Sequence, residues 1–403
     1  MRVRTEKKMK RWQEQRWLLD QVVKLSGLDW DQGRTDKIQR NCGPGVAGEL
    51  REISRRVQKF TDIPREFSRA AQRREELAQE AEEAGHEVQA REHYYVAATF
   101  YTNAQWAIYE DDNQKRRLWG ERKRACYDKF IQFAHRPIER VELPFENSSL
   151  PALLHLPPHR EPGEKLPGVL SIPGMDGVKE DTPLYGDPFL ERRMAILAID
   201  GPGQGEARAR GIKVTASNCE AAGRAACDYL CSRPEIDRSR LAIFGSSMGS
   251  YWGTRVAAAE PRFKACAVSG VCVEPGQYTI FNTASPTFKL NFMYMAGYDD
   301  EDAFDGFART LTLKGVASKV TYPYLIVAGE DDELCPIEFV YELIEEIRAP
   351  KVLVLYEGEK HSIRNPGART LIVDWLKDRL EGKPVKSEKI YVEMSGREIR
   401  TAW

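Results

Sequence analysis

The chain has 403 residues, of which 42% are hydrophobic and 30% are charged, so it can bury a sizeable core and has room for two domains. Its 60 basic and 61 acidic residues give a net charge of −1, which excludes the strong field that would favour nucleic acid or an acidic membrane as a partner. The sequence contains no run of about 18 apolar residues and no apolar core behind its basic N-terminus, so it predicts neither a membrane span nor a signal peptide.

Residues 1–137 are rich in Glu, Arg, Gln and Ala and carry apolar residues at helical spacing, which predicts an all-helical N-terminal lid domain. Gly85 separates two helical stretches, an arrangement that is typical of a helical hairpin. Along the second stretch, a stripe of apolar side chains recurs at helical steps: Tyr94, Tyr95, Ala98, Tyr101, Ala104 and Ile108. We interpret the stripe as packing between helices; the alternative is that some of these rings line a substrate pocket.

The pattern changes at residue 138, and residues 138–403 predict a catalytic domain. Val141–Leu156 alternates as a strand pair would, around the turn signal Glu146-Asn147-Ser148-Ser149. Continuous apolar runs follow, as expected of parallel strands covered on both faces: Gly168–Ile172, Ala195–Ile199, Leu241–Phe244, Ala265–Val268, Tyr324–Ala328 and Lys351–Tyr356. Strands alternating with helices predict an α/β fold with a doubly wound, mostly parallel sheet. The aromatic, irregular segment of about residues 274–318 interrupts this rhythm and predicts a cap-like insertion.

The segment Gly245-Ser246-Ser247-Met248-Gly249 lies between the predicted strand Leu241–Phe244 and a helix of small residues. This is the strand–turn–helix setting of the G-x-S-x-G nucleophile turn, whereas a G-x-S-x-G outside it arises often by chance. The turn is so tight that the flanking residues must be small, and it lifts the hydroxyl to the positive end of a helix. We therefore predict Ser247 as the nucleophile and a packing role for Ser246.

A serine hydroxyl needs a base to remove its proton. In proteins that use the G-x-S-x-G turn, the three catalytic residues follow one another along the chain as serine, acid and histidine. Only His361 among the six histidines follows Ser247, so chain order selects it as the general base. The alternative for His361 is a surface histidine in a polar loop.

The acid is expected just beyond the strand Tyr324–Ala328, where the sequence reads Gly329-Glu330-Asp331-Asp332-Glu333. In hydrolases with a G-x-x-D-x-x-x-P pattern the orienting acid is the aspartate of the pattern, which here is Asp332, with Asp331 as the alternative. Its carboxylate would fix the tautomer of the imidazole and stabilise the imidazolium.

Two backbone N–H groups should face the developing oxyanion. We predict those of Met248, directly after the nucleophile, and of Met175, in the loop Pro173-Gly174-Met175-Asp176-Gly177. Pro-Gly and Asp-Gly are also ordinary turn dipeptides. The glycine-rich run Asp200–Glu206 lacks the Lys-Ser/Thr of a phosphate loop, so we exclude a nucleotide site there.

The eight cysteines include no CxxC pair and no His-rich segment accompanies them. We therefore expect reduced, mostly buried thiols in a cytoplasmic protein, with no metal and no other cofactor.

The helical N-terminal region, the motifs PGMDG, DGPGQGE, GSSMG and GEDDELCP, and the His361 loop together resemble the α/β-hydrolase superfamily. Within it, the chain resembles the 2,6-dihydroxypseudooxynicotine hydrolase-like C–C bond hydrolases and, more distantly, fungal pigment-pathway hydrolases that shorten polyketide chains. The resemblance implies cleavage of a carbon–carbon bond beside a carbonyl, a pocket between the helical domain and the catalytic core, and a homodimer. It also implies an additional acid beyond the nucleophile helix, for which Glu274 is the nearby carboxylate and Tyr278 the alternative. A capping role or exposure at the surface is the other interpretation of Glu274.

These features predict a serine hydrolase that acts on a small molecule and has no nucleic-acid or membrane partner. We expect cleavage of a C–C bond next to a carbonyl, in a β-diketone-like or aromatic ketone substrate. A carboxylesterase or an amidase acting on a small acyl substrate is the alternative, because the same three side chains serve all of these reactions. A non-catalytic hydrolase-fold binding module is the alternative of another class.

Overall fold

The computed structural model describes residues 8–403, which form two compact units. One unit contains residues 8–139 together with Glu180–Leu184 and Tyr298–Glu301. The other contains Arg140–Lys179, Tyr185–Gly297 and Asp302–Trp403. The two short segments of the first unit were not predicted, because nothing in their local sequence links them to distant helices.

Charged contacts join the segment Glu180–Leu184 to the helices of the first unit. Lys123 and Glu180 form an ion pair of 3.1 Å in which both side chains are almost fully buried. Lys37 lies 2.9 Å from Asp181, which also accepts a hydrogen bond from Asn41. A buried charge is tolerated when it is paired in this way.

Within residues 8–139 the first unit contains six α-helices: α1 Lys10–Ser26, α2 Arg34–Cys42, α3 Ala47–Arg56, α4 Ile63–Glu83, α5 Glu87–Trp106 and α6 Gln114–Gln132. Gly85, with φ +75°, makes the turn between α4 and α5. Tyr101 of α5 donates a hydrogen bond to Glu75 of α4, and the ring of Tyr95 packs against Phe130 of α6. The aromatic stripe is therefore interhelical packing, as predicted.

The second unit contains a ten-stranded sheet in the order β1-β2-β4-β3-β5-β6-β7-β8-β9-β10. Its strands are β1 Ile138–Phe145, β2 Ser148–His155, β3 Leu166–Ile172, β4 Ala195–Ile199, β5 Ile236–Ser246, β6 Ala265–Ser269, β7 Tyr324–Gly329, β8 Lys351–Tyr356, β9 Glu388–Val392 and β10 Glu398–Ala402. Neighbours from β4 to β9 are parallel, whereas β2 pairs with β4, and β10 with β9, in antiparallel fashion. The predicted α/β fold with a mostly parallel sheet is confirmed, and β9 and β10 were not predicted.

The remaining helices connect or follow these strands: α7 Thr182–Tyr185, α8 Asp187–Glu191, α9 Gly205–Ala209, α10 Asn218–Ser232, α11 Met248–Ala259, α12 Pro286–Ala296, α13 Glu301–Ala308, α14 Ile337–Glu346 and α15 Pro366–Leu380. None of the helices in residues 8–403 combines the length and the hydropathy that a membrane span requires.

Both faces of the sheet are covered. Ala242 and Phe244 of β5 belong to an apolar cluster with residues of α15. The side chain between them, Ile243, points the other way and lies against Gly253 of α11. Because successive side chains of a strand point to opposite faces, α11 and α15 lie on opposite sides of the sheet. This double cover explains why the central strands are continuously apolar.

The order of the strands reverses at β3, which lies between β4 and β5. The chain leaves β3 toward β4 through α8, which packs with α15, and returns from β4 toward β5 through α10, which packs with α11. Such a reversal opens a crevice at the carboxyl ends of the strands, where ligands bind in open α/β sheets. The loops that follow β3 and β5 therefore meet at the position where this fold places its sites.

The aromatic segment between β6 and β7 is helical. It contains a π-helical turn at Thr279–Thr283 and the helices α12 and α13. Its phenylalanine rings pack on one another at centroid distances of 5.1–6.3 Å: Phe281, Phe292, Phe304 and Phe307. These rings form the core of the insertion, which accounts for its aromatic composition.

Candidate active site

Ser247 lies in the turn between β5 and α11, with φ +55° and ψ −127°. A positive φ is uncommon for a residue with a side chain and is held here by the surrounding backbone. A Cβ atom at Gly245 would clash with the carbonyl of Gly249, and a Cβ atom at Gly249 would clash with the carbonyl of Ile172. The two glycines of the motif are therefore required for helix and strands to approach this closely.

The close approach at Gly249 has a measurable consequence for stability. We expect Gly249→Ala to lower the free energy of unfolding by about 1–3 kcal/mol, because the methyl group overpacks against the carbonyls of Ile172 and Pro173. Gly253→Ala in the same helix is the matched control, since its methyl group would meet Ile243 at an ordinary 3.4 Å. Urea unfolding measures both, and equal stability of the two variants would contradict the steric account.

Three side chains form a continuous hydrogen-bonded chain at the carboxyl ends of β5, β7 and β8. Ser247 Oγ lies 2.8 Å from His361 Nε2, and His361 Nδ1 lies 2.9 Å from Asp332 Oδ2. Asp332 Oδ1 also accepts hydrogen bonds from the backbone N–H groups of Leu334 and Cys335, at 2.8 and 3.0 Å. The His361 and Asp332 side chains are only 7% and 2% exposed, so the hydrogen bond between them is shielded from water.

The loops that carry the acid and the histidine are joined to each other. Asp331 N–H donates to the carbonyl of Glu359, and a Cβ atom at Gly329 would clash with that same carbonyl. Asp331 is exposed, so of the two predicted alternatives it is Asp332 that reaches the imidazole. The next residue, Glu333, accepts a hydrogen bond from the backbone N–H of His361.

The protonation of His361 is governed by its surroundings. Burial is the largest single effect and lowers its pKa, but the charge and hydrogen bond of Asp332, together with the effect of Cys272, raise it by more in sum. The net pKa of His361 therefore lies well above the ordinary 6.5. The carboxylate thus stabilises the imidazolium in this site.

The loop after β3 runs beside the serine. A Cβ atom on Gly174 would lie only 2.8 Å from the Cβ of Ser247, so the backbone of this loop is in contact with the turn that carries Ser247. Met175 follows Gly174 directly and is buried. Met248 is the first residue of α11, and an N–H in the first turn of a helix has no acceptor within the helix. Both predicted oxyanion donors thus lie on segments adjoining Ser247.

The predicted additional acid is engaged elsewhere. Glu274 is 6% exposed, and its Oε2 accepts a hydrogen bond of 2.7 Å from the backbone N–H of Thr279. This contact closes the π-helical turn and does not involve Ser247 or His361. Its alternative, Tyr278, is 59% exposed.

Cys272 was not predicted as part of the site. Its Sγ lies 3.7 Å from Ser247 Oγ and 4.0 Å from His361 Nε2, and its backbone N–H donates to Ser250 Oγ. The only signal in the sequence is its position shortly after β6, the strand next to β5, and that position alone does not identify a contact.

The chain is similar to known hydrolases. A family model described as esterase FrsA-like matches residues 68–299. The chain is 29% identical to 2,6-dihydropseudooxynicotine hydrolase of Paenarthrobacter nicotinovorans over 373 residues, covering 92% of this chain and 95% of that protein. It is 30% identical to the alpha/beta hydrolase xenA of Xenoacremonium sinensis over 251 residues, or 60% of this chain and 58% of that protein.

Solved structures of known proteins also resemble this chain. The crystal structure of the 2,6-dihydroxy-pseudo-oxynicotine hydrolase matches with a TM-score of 0.71 and 25% identity, over 92% of this chain and 97% of that one. The structure of AbyA5 shares the fold, with a TM-score of 0.66 and 18% identity over 87% of this chain and 96% of that one. The sheet carries a serine, a histidine and an aspartate that are linked by hydrogen bonds. Because the family model also matches more than half of the sequence, the chain belongs to the FrsA-like esterase family and is an α/β hydrolase.

Proposed function

We propose that the protein is a serine hydrolase in which Ser247 is the nucleophile, His361 the general base and Asp332 the residue that orients the base. The observation that carries this proposal is the chain of hydrogen bonds from Ser247 Oγ through His361 to Asp332, with distances of 2.8 and 2.9 Å. Nucleophile, base and orienting group within hydrogen-bond reach are the signature of nucleophilic catalysis. The backbone N–H groups of Met248 and Met175 serve as oxyanion donors.

We further propose that the scissile bond is a C–C bond beside a carbonyl. Ser247 Oγ attacks the carbonyl carbon while His361 takes its proton. The C–C bond then breaks, its electron pair moves into the enolate of a second ketone, and His361 returns the proton to that carbon. Water cleaves the acyl-enzyme, so that a β-diketone and one water give a carboxylic acid and a ketone. No step is assigned to Glu274, because its carboxylate accepts a hydrogen bond from the backbone N–H of Thr279.

Support for C–C cleavage comes from the similarity to 2,6-dihydropseudooxynicotine hydrolase, which extends over 92% of this chain. An esterase is the second candidate, and the description of the matching family as esterase FrsA-like favours it. The two reactions share the attack on the carbonyl and differ only in the leaving atom, so the same residues serve both.

A panel of substrates tests the nature of the leaving atom. The purified protein is incubated with simple aryl esters, anilides and aromatic β-diketones, and the products are identified by mass. We expect the diketones to be cleaved to an acid and a ketone with the highest kcat/KM. Rapid turnover of esters with the diketones untouched would overturn C–C cleavage in favour of an esterase.

The raised pKa of His361 predicts the pH dependence of this reaction. The base must be neutral to accept the proton of Ser247, so kcat/KM should fall as the pH decreases through the pKa of His361. Because the net pKa of His361 lies well above 6.5, we expect the acid limb of the profile to lie above pH 6.5. Initial rates across the pH range measure it, with circular dichroism at each pH to verify folding. A rate that stays constant down to pH 6.5 would contradict this assignment.

A further inference from the structure

The segment Asp200–Glu206, which reads DGPGQGE, follows β4 directly. The structure ties it to the loop after β3 through one side chain. Gln204 is 2% exposed, and its Nε2 donates to the carbonyls of Gly174 at 2.7 Å and Pro173 at 3.3 Å. Its Oε1 accepts a hydrogen bond of 3.1 Å from the backbone N–H of Gly201. Both ends of the amide are thus engaged, which fixes its orientation.

The carbonyl of Gly174 and the N–H of Met175 belong to the same peptide group. Because that group is planar and trans, its C=O and its N–H point in opposite directions. The carbonyl accepts from Gln204 Nε2 and also from the N–H of Gly177 at 3.0 Å. Two donors on the oxygen therefore fix the direction in which the N–H of Met175 points. A hydrogen bond to the carbonyl also polarises the amide and makes its N–H a better donor.

Buried charges hold the same two loops together at their other end. Lys179, which follows the β3 loop, is 1% exposed, and its Nζ lies 2.9 Å from Asp200 Oδ2 and 2.8 Å from Glu206 Oε1. Asp200 also accepts hydrogen bonds from the backbone N–H groups of Lys179 and Glu206, at 2.8 and 2.9 Å. These bonds pair the buried charges and make the two loops one rigid piece.

We propose that Gln204 is a positioning residue that aims the N–H of Met175 at the oxyanion of the transition state. This role rests on the proposed function, in which that N–H is an oxyanion donor. Loss of such a donor costs about 10²–10³ in kcat. Loss of the group that aims it should cost less, on the order of 10–10² in kcat, with little change in KM because the oxyanion forms only in the transition state.

The test compares Gln204→Met, which keeps the length of the side chain but removes its hydrogen bonds, with the unaltered protein on its best substrate. We expect kcat to fall by about 10–10²-fold and KM to change by less than about threefold. A trifluoromethyl ketone, which forms an oxyanion adduct with the serine, should lose affinity by the same factor as kcat. The acid limb of the pH profile should not move, because it reflects the pKa of His361, which depends on burial, Asp332 and Cys272 and not on Gln204.

Two further variants make the result decisive. Gln105→Met is the matched control: Gln105 Nε2 also donates to a backbone carbonyl, that of Tyr101, but in the helical unit, and its loss should leave kcat unchanged. Gln204→Glu keeps an oxygen that can accept from the N–H of Gly201 but replaces the NH₂ group that donates to Gly174 and Pro173. This variant takes the place of Gln204→Met in the test if Gln204→Met does not fold.

An unchanged kcat in a folded Gln204 variant, or equal changes in KM and in ketone affinity with kcat constant, would overturn the positioning role. Neither result would contradict the assignment of Ser247 as the nucleophile. Failure of that assignment appears separately, as an unaltered protein that the trifluoromethyl ketone does not inhibit.

Discussion

Replacing Ser247 by alanine is expected to lower kcat by about 10⁶-fold while leaving the fold intact. In triad enzymes the loss of the nucleophile costs about as much as the loss of all three residues, because the base and the acid act only through it. The hydroxyl lies 2.8 Å from His361 Nε2, so its removal leaves the base with no proton to accept. Steady-state rates with the preferred substrate of the panel measure the effect.

Ser246→Ala is the matched control, because it removes the same hydroxyl from the preceding residue, at the end of β5. We expect this variant to keep full activity. Cys272 Sγ lies 4.0 Å from His361 Nε2, so any residual rate of Ser247→Ala should be compared with that of a Ser247→Ala, Cys272→Ala double variant. A Ser247→Ala protein with more than a few per cent of the original rate would contradict the assignment of the nucleophile.

Replacing Asp332 by asparagine is expected to lower kcat by about 10⁴-fold, because the shape is kept while the tautomer of the histidine is reversed. Asp332 Oδ1 accepts from the N–H groups of Leu334 and Cys335, so an asparagine would place its oxygen there and its NH₂ toward His361. The imidazole would then have to accept at Nδ1 and carry its proton on Nε2. In that tautomer it cannot take the proton of Ser247.

The same substitution should also move the acid limb of the pH profile to lower pH. Burial lowers the pKa of His361, and the carboxylate that offsets this effect is gone. Asp331→Asn is the control, because Asp331 is exposed and should tolerate the change. A profile of Asp332→Asn that keeps the original acid limb, or an equal loss of activity in Asp331→Asn, would contradict the role of Asp332.

Much of the fold could be predicted because the central strands are buried on both faces. Their continuous apolar runs marked β3 to β8, and the alternation of Val141–Leu156 marked β1 and β2. The strands β9 (EKIYV) and β10 (EIRTA) mix charged and apolar residues, and every residue of β10 is exposed. β10 is the edge strand and β9 lies between it and β8. Neither strand has an apolar run to reveal it, which is why both were missed.

The candidate site was predictable only where chemistry imposes a local pattern. The nucleophile turn needs two glycines, and chain order left His361 as the single choice for the base. Cys272, Glu333 and Gln204 contact the site through tertiary packing, which leaves no signature in the neighbouring sequence. The homodimer and the cytoplasmic location stay predictions.

The convergence of Ser247, His361 and Asp332 into one reactive centre is tested most directly by covalent labelling. The folded protein is treated with a fluorophosphonate, which reacts with activated serines, and the modified peptide is identified by mass spectrometry. We predict one adduct per chain, on Ser247, formed far more slowly in Asp332→Asn and absent from Ser247→Ala. A folded protein that takes up no label, or that takes it up on a residue other than Ser247, would contradict the account.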